Sequence, residues 1–212
     1  MKMGILGSGM VGQAISARLT ELGHDAMIGT RDPNKLIDWH ASNQNVKIGS
    51  FSETAAHAEV VFNATSGVGS LDALKMAGEA NLNQKILVDI SNPLDFSKGF
   101  PPSLTVSNTD SLAEQIQRAF PSAKVVKTLN TVTARIMVHP REVADGDHQV
   151  FISGNDADAK AQVSELLKSF GWIHIMDLGD LTTARGTEMY LPLWVRMYGA
   201  MNNGMFNIKI MK

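Results

Sequence analysis

Six residues near the amino terminus restrict the fold more than any other stretch. Gly7-Ser8-Gly9-Met10-Val11-Gly12 fits the spacing G-x-G-x-x-G. That spacing carries meaning only between a strand and a helix, and both are legible here. Residues 3–6 read as a strand, and residues 11–22 as a helix with Val11, Ile15, Leu19 and Leu22 on one face. Gly23 supplies the stop. In such a unit the first glycine permits a tight turn and the second lets backbone N–H groups approach a pyrophosphate. The third lets helix and strand pack closely, while the helix N-terminus adds donors and partial positive charge.

The rest of the chain continues the alternation. Residues 25–28, 46–48, 59–64, 86–90 and 123–129 read as strands, with helices at 70–78 and 110–120, the latter capped by Asp110 or Ser111. Strand–helix alternation predicts a doubly wound, Rossmann-type α/β fold with a parallel sheet. Beyond it, residues 149–153 and 172–176 read as strands around a helix that Asn155-Asp156 begin and Gly171 ends. A terminal helix over 187–205 is broken near Pro192. The expected organisation is a nucleotide-binding domain over 1–130 and a small carboxyl-terminal α/β extension over 131–212, which completes a substrate cleft and forms a dimer interface.

The stretch Gly29-Thr30-Arg31-Asp32-Pro33-Asn34-Lys35 occupies the end of the second strand, about 20 residues past the glycines, where a carboxylate would hold two ribose hydroxyls. Gly29 and Thr30 offer none. Arg31 can make paired charge-assisted bonds to a phosphate, Thr30 can donate its hydroxyl, and Lys35 adds a point charge. These residues predict NADPH rather than NADH, with Asp32 turned outward as a cap. The opposing reading leaves Arg31 and Lys35 as solvated charges and gives the ribose to Asp32.

In doubly wound sheets ligands bind beyond the carboxyl ends of the strands. Ala64-Thr65-Ser66-Gly67 and Ser91-Asn92-Pro93 follow two of these strands and are expected along the cofactor. No catalytic acid or base stands out. His24, His40, His57, His139, His148 and His174 have no evident partner in sequence and read as structural or surface residues. Lys127, inside a strand, is the least implausible base. Neither H-E-x-x-H nor G-x-S-x-G occurs, and no metal site is expected. Hydride transfer to a flavin-type ring fits this inventory, since the cofactors carry the electronics and the protein has only to hold two flat rings together. Met189, Leu193, Met197, Met201 and Met205 recur at fours in the terminal helix, beside Trp194 and Tyr198. They read as core or interface, on a helix that can also line the cleft.

Composition narrows the partners. The 19 basic and 21 acidic residues nearly cancel, which argues against nucleic acid. Cysteine is absent, so a reducing, cytoplasmic setting is expected. The first residues run directly into a strand, and no apolar run reaches the roughly 20 residues of a membrane helix.

Three stretches together resemble the NADPH-dependent reductases of coenzyme F420: residues 7–35, residues 124–134 (KVVKTLNTVTA), and a carboxyl-terminal series of SGNDADAK, GW, DLGDLTTAR, LPL and NIKI. The cytoplasmic reductase domain of six-transmembrane metalloreductases is similar too. The resemblance implies a homodimer moving hydride between NADP(H) and a deazaflavin. It places Ser8, Gly9, Met10 and Val11 on the pyrophosphate, with Gly7 and Gly12 completing the cofactor-binding loop, and Thr30, Arg31 and Lys35 on the 2′-phosphate. Ala64, Thr65, Ser66, Ser91, Asn92, Pro93 and Ala134 join the cofactor site, while Asn130, Thr131, Val132 and Met201 face the ring substrate. Archaeal F420 reductases carry His where this chain has Asn130, and its LNT is closer to the FNT of the metalloreductase domains. The second ring thus stays open: F420, FMN, FAD or another acceptor. Two other readings share the glycine loop: an imine or 2-hydroxyacid reductase, which needs a long helical second domain, and a non-catalytic NADPH-sensing protein.

Overall fold

A computed structural model describes residues 1–211. The first six strands of the main sheet are β1 (Lys2–Leu6), β2 (Asp25–Gly29), β3 (Lys47–Gly49), β4 (Val60–Asn63), β5 (Ile86–Asp89) and, after the short antiparallel pair β6 (Leu94–Asp95) and β7 (Ser103–Leu104), β8 (Lys124–Thr128). The last two are β9 (Gln149–Gly154) and β10 (His174–Gly179). The helices are α1 (Met10–Glu21), α2 (Ile37–Ala41), α3 (Phe51–His57), α4 (Ser70–Ala77), α5 (Glu79–Leu82), α6 (Leu112–Ala119), α7 (Ala134–Val138), α8 (Ala157–Phe170), α9 (Ala184–Met189) and α10 (Leu191–Met201). Among the described residues no helix is long and apolar enough to cross a membrane.

Eight strands form one sheet in the order β10-β9-β8-β5-β4-β1-β2-β3. The six from β3 to β8 are parallel, and their order reverses between β1 and β4. Successive strand residues point to opposite faces, so each central strand feeds two cores. Ile5, Phe62, Val88 and Val126 pack with Ile15 and Leu19 of α1, Ile136 of α7, and Val163 and Leu167 of α8. Leu6, Val61, Leu87 and Val125 pack with Ala55 of α3, Leu74 of α4 and Ile116 of α6. Burial on both faces is why these strands read as unbroken runs of Val, Ile and Leu rather than as alternation.

The carboxyl-terminal extension enlarges this sheet. β9 pairs antiparallel with β8 and parallel with β10 across α8, so the expected βαβ unit forms but runs against the other six strands. The turn-rich segment between β8 and β9 folds back over the α1 face. It is fastened there by the Trp172 indole N–H, which donates to Met137 O at 3.0 Å, and by His148, which lies edge-on to Trp172 and bonds Pro140 O at 2.8 Å. The boundary expected at residue 130 thus falls between neighbouring strands of one sheet.

Ser111 rather than Asp110 caps α6, accepting from Glu114 N, while Asp110 pairs with Arg118 at 2.7 Å. Gly171 ends α8 at φ 109°, a left-handed value that favours glycine. The terminal helix divides at Tyr190, with Pro192 in the first turn of α10, where its missing N–H costs nothing. The methionine stripe is not in the core of this chain. Leu193 and Met201 are 57% and 50% exposed, whereas Leu191 and Val195 turn inward.

Gly12 shows how closely α1 approaches β1. A Cβ added there would lie 1.9 Å from Gly7 O. Gly12→Ala is therefore expected to lower stability by about 1–3 kcal/mol, read as a lower denaturant midpoint at unchanged slope.

Candidate functional site

The glycine loop is shaped by what cannot fit. Gly7 has φ 117°, and a Cβ there would sit 2.5 Å from Ala64 O. Gly9, the residue before α1, faces open space, and no side chain caps the helix. This contrasts with α3, α6 and α8, which Ser50, Ser111 and Asp156 cap. The first N–H groups of α1 are thus left for an anion. The Thr30 hydroxyl donates to Ser8 Oγ at 3.0 Å, joining the loop to the end of β2.

Beyond β2, Asp32 accepts from Asn34 N at 3.1 Å and so caps the short turn Pro33–Leu36, as the sequence predicts. Thr30, Arg31, Asp32 and Lys35 line a hollow of about 290 Å³ together with Gly7, Ser8 and Gly9. Neither Arg31 nor Lys35 forms an ion pair among the described residues, whereas the one other acid in the lining, Asp72, is paired with Lys75.

A second hollow, of about 600 Å³, shares Ala64, Thr65 and Ser66 with the first. Met10, Val11, Ser91, Asn92, Asn130, Thr131, Val132 and Ala134 line it, as do Leu191 and Trp194 of α10. The two hollows form one cleft across the β1–β4 reversal. Most of the residues picked out in sequence meet there. Gly12 packs behind the loop, and neither Pro93 nor Met201 lines either hollow. Val68 and Phe96 add exposed apolar surface that the sequence reading missed. An apolar residue stranded in a polar loop was the available signal.

The loops that build the second hollow are locked together. A Cβ on Gly67 would lie 1.9 Å from Asn92 O, so the two strand-end loops touch backbone to backbone. Leu129 takes φ 62°, an unusual value for a branched residue, and turns the chain as it leaves β8. Asn130 Nδ2 then donates to Asn92 Oδ1 at 2.9 Å and to Thr187 O at 3.1 Å, while Asn92 Nδ2 donates to Asn130 O at 2.8 Å.

Lys127 lies beneath this ring of loops, 1% exposed. Its ammonium contacts Asp89 Oδ2 at 2.8 Å, Glu188 Oε1 at 2.9 Å and Ser91 O. Burial pulls its pKa down, but the two carboxylates outweigh burial and the net shift is upward. A base needs the opposite shift, so Lys127 is not the base that its place in the strand left open. None of the residues lining the second hollow is titratable. No histidine lines either hollow, and among the described residues no cluster of His, Asp or Glu could hold a metal.

Comparison with known proteins adds ancestry to this geometry. Residues 2–93 match the family model described as NADP oxidoreductase, coenzyme F420-dependent. A protein from Arthrobacter sp. FB24, proposed to be an F420-dependent NADP-reductase, has a crystal structure that superposes at a TM-score of 0.97, with 54% identity over 100% of both chains. Metalloreductase STEAP3 of Rattus norvegicus is 33% identical over 91% of this chain, which spans only 38% of that relative's length. F420-dependent NADP reductase of Methanothermobacter marburgensis is 26% identical, over 93% of this chain and 92% of the relative.

The Asn92–Asn130 contact is expected to behave as a coupled pair. A double-mutant cycle with Asn92→Ala and Asn130→Ala, read by chemical denaturation, should return a coupling of about 0.5–1.5 kcal/mol.

Proposed function

The chain belongs to the coenzyme F420-dependent NADP oxidoreductase family and is an NADP-dependent oxidoreductase, and from that premise we propose that it moves hydride between NADP(H) and the deazaflavin ring of coenzyme F420. In this reading the 2′-phosphate lies against Thr30, Arg31 and Lys35, and the pyrophosphate crosses Ser8 to Val11 at the open end of α1. The nicotinamide end runs past Ala64, Thr65 and Ser66 toward Ser91, Asn92 and Ala134. The acceptor ring occupies the second hollow, between Asn130, Thr131 and Val132 on one side and Leu191 and Trp194 on the other. Met201 belongs to the outer face of α10, where Leu193 and Tyr198 are also exposed, and that face is where a second copy would dock. The absence of cysteine fits a reducing, cytoplasmic setting.

The observation that carries the reading is a roomy, largely apolar hollow with no titratable side chain in its lining, continuous with a hollow that holds two cations unpaired among the described residues. A ring-to-ring hydride transfer asks the protein for close stacking, donor and acceptor atoms about 3–3.5 Å apart, and exclusion of water. The reaction balances as NADPH, a solvent proton and oxidised F420 going to NADP⁺ and reduced F420. An imine reductase needs a proton donor beside the substrate, and the lining offers no acid for that task. The long helical second domain of that class has no counterpart in α9 and α10, of 6 and 11 residues.

Two measurements test this reading. NADPH absorbance should fall fastest with F420, when F420, FMN, FAD and a cyclic imine are compared at equal concentration. Tight NADPH binding with turnover of none of them would favour a sensor and sink the proposal. Arg31→Ala should weaken NADPH binding by about 1.5–3 kcal/mol, roughly 10- to 150-fold, and NADH binding far less. Equal losses would remove Arg31 from the phosphate.

A further inference from the structure

The cleft has two walls that come from distant parts of the chain. Its polar wall is Thr65, Ser91 and Asn92, from the ends of β4 and β5. Part of its apolar wall is Leu191 and Trp194, at the start of α10. Both walls lead back to Lys127. On the polar side, the Lys127 ammonium holds Ser91 O and Asp89. Asp89 Oδ1 accepts from the Ser91 hydroxyl at 2.6 Å and from Asn63 Nδ2 at 2.9 Å, and the Thr65 hydroxyl donates to Asn63 Oδ1 at 2.6 Å. On the apolar side the ammonium holds Glu188, three residues before Leu191. Glu188 also accepts from Leu112 N and Ala113 N, in the first turn of α6, at 2.8 and 3.1 Å.

The cluster is saturated. The three protons of an ammonium meet three acceptors, Asp89, Glu188 and Ser91 O. The excess negative charge of two carboxylates around one cation is met by the positive end of α6. Such a network tolerates one arrangement, because any shift leaves a buried charge unpaired. None of its charged members lines either hollow.

We propose that Lys127, with Asp89 and Glu188, is a positioning residue for hydride transfer, which sets the gap between the two walls of the cleft and hence the approach of nicotinamide to acceptor. The inference rests on the placement of the nicotinamide in the second hollow. Adenosine-end contacts through Thr30, Arg31 and Lys35 lie outside the network. Binding and transfer should therefore separate: loosening the cluster should spare NADPH affinity and slow the hydride step.

The test uses Glu188→Gln, which keeps the shape and removes one charge. Expected are a folded protein by circular dichroism, an NADPH Kd within about twofold of wild type, and a single-turnover rate with F420 at least tenfold lower. The fluorescence of bound NADPH, which needs no acceptor, should also move toward that of free NADPH. This second readout separates the two ideas: if wild type reduces no acceptor, the F420 reading fails, while the fluorescence still reports the placement of the nicotinamide. A folded variant with unchanged rate and fluorescence would overturn the proposal, as would a rate loss matched by an equal loss of NADPH affinity. If Glu188→Gln does not fold, the charge-free triple variant Asp89→Asn, Lys127→Met, Glu188→Gln takes its place under the same criteria. Failure of both to fold would make the cluster a determinant of folding and overturn the positioning role.

Discussion

A full positive charge buried at the carboxyl edge of a parallel sheet is a severe constraint, and much of the cleft is arranged around it. Lys127 sits in β8, the sixth parallel strand, where neither face meets water. Its ammonium must be neutralised and fully hydrogen-bonded, or the strand could not stay there. The groups that do this come from β5, from the loop after it and from α9, with α6 adding its N-terminal donors. One buried charge thus holds together elements that are otherwise far apart in the chain. The ends of those elements are the walls of the cleft.

Charge is distributed unevenly along the cleft. At one end Arg31 and Lys35 are unpaired among the described residues, beside an uncapped helix terminus. Arg31 and Lys35 are exposed and hydrated, and donors and cations left open in this way gain when an anion binds. At the other end the lining carries no ionisable group, and its amides are turned inward on one another through Asn92, Asn130 and Thr187 O. A lining like this can hold and orient a ligand but offers it no ionisable side chain as acid or base.

Much of the nucleotide half was legible beforehand, because it depends on local chemistry. Gly12 is required by the approach of Gly7 O five residues before it, and Gly7 by its own φ of 117°, although the backbone it nearly touches is that of Ala64. Asp32 caps its own turn. Much of the alternation of strands and helices follows from periodicity, whereas the short β6–β7 pair, α7 and the opposite direction of β9 and β10 needed the three-dimensional path of the chain. The second half was harder. A stripe of methionines at helical spacing looks the same whether it turns inward or outward. In the structure Leu191 and Trp194 face the cleft while Leu193 and Met201 face out. A lysine in a strand says nothing about which carboxylates will reach it, so the sequence leaves Lys127 no more than the least implausible base, and its ion pairs with Asp89 and Glu188 come from the structure.

By itself the sequence determined the fold class, the glycine turn and the absence of a carboxylate at Gly29 and Thr30 with two cations beside them, since each rests on residues close together in the chain. The tertiary structure alone decided which face of α10 meets the cleft, how the amides of Asn92 and Asn130 are spent, and that Lys127 is bound as a cation. Those outcomes depend on partners 38 to 61 positions away, from Asn92 across to Asn130 and from Lys127 to Asp89 and to Glu188. Contacts over such separations are set by how the sheet and helices pack, and a pattern read along the chain does not contain them.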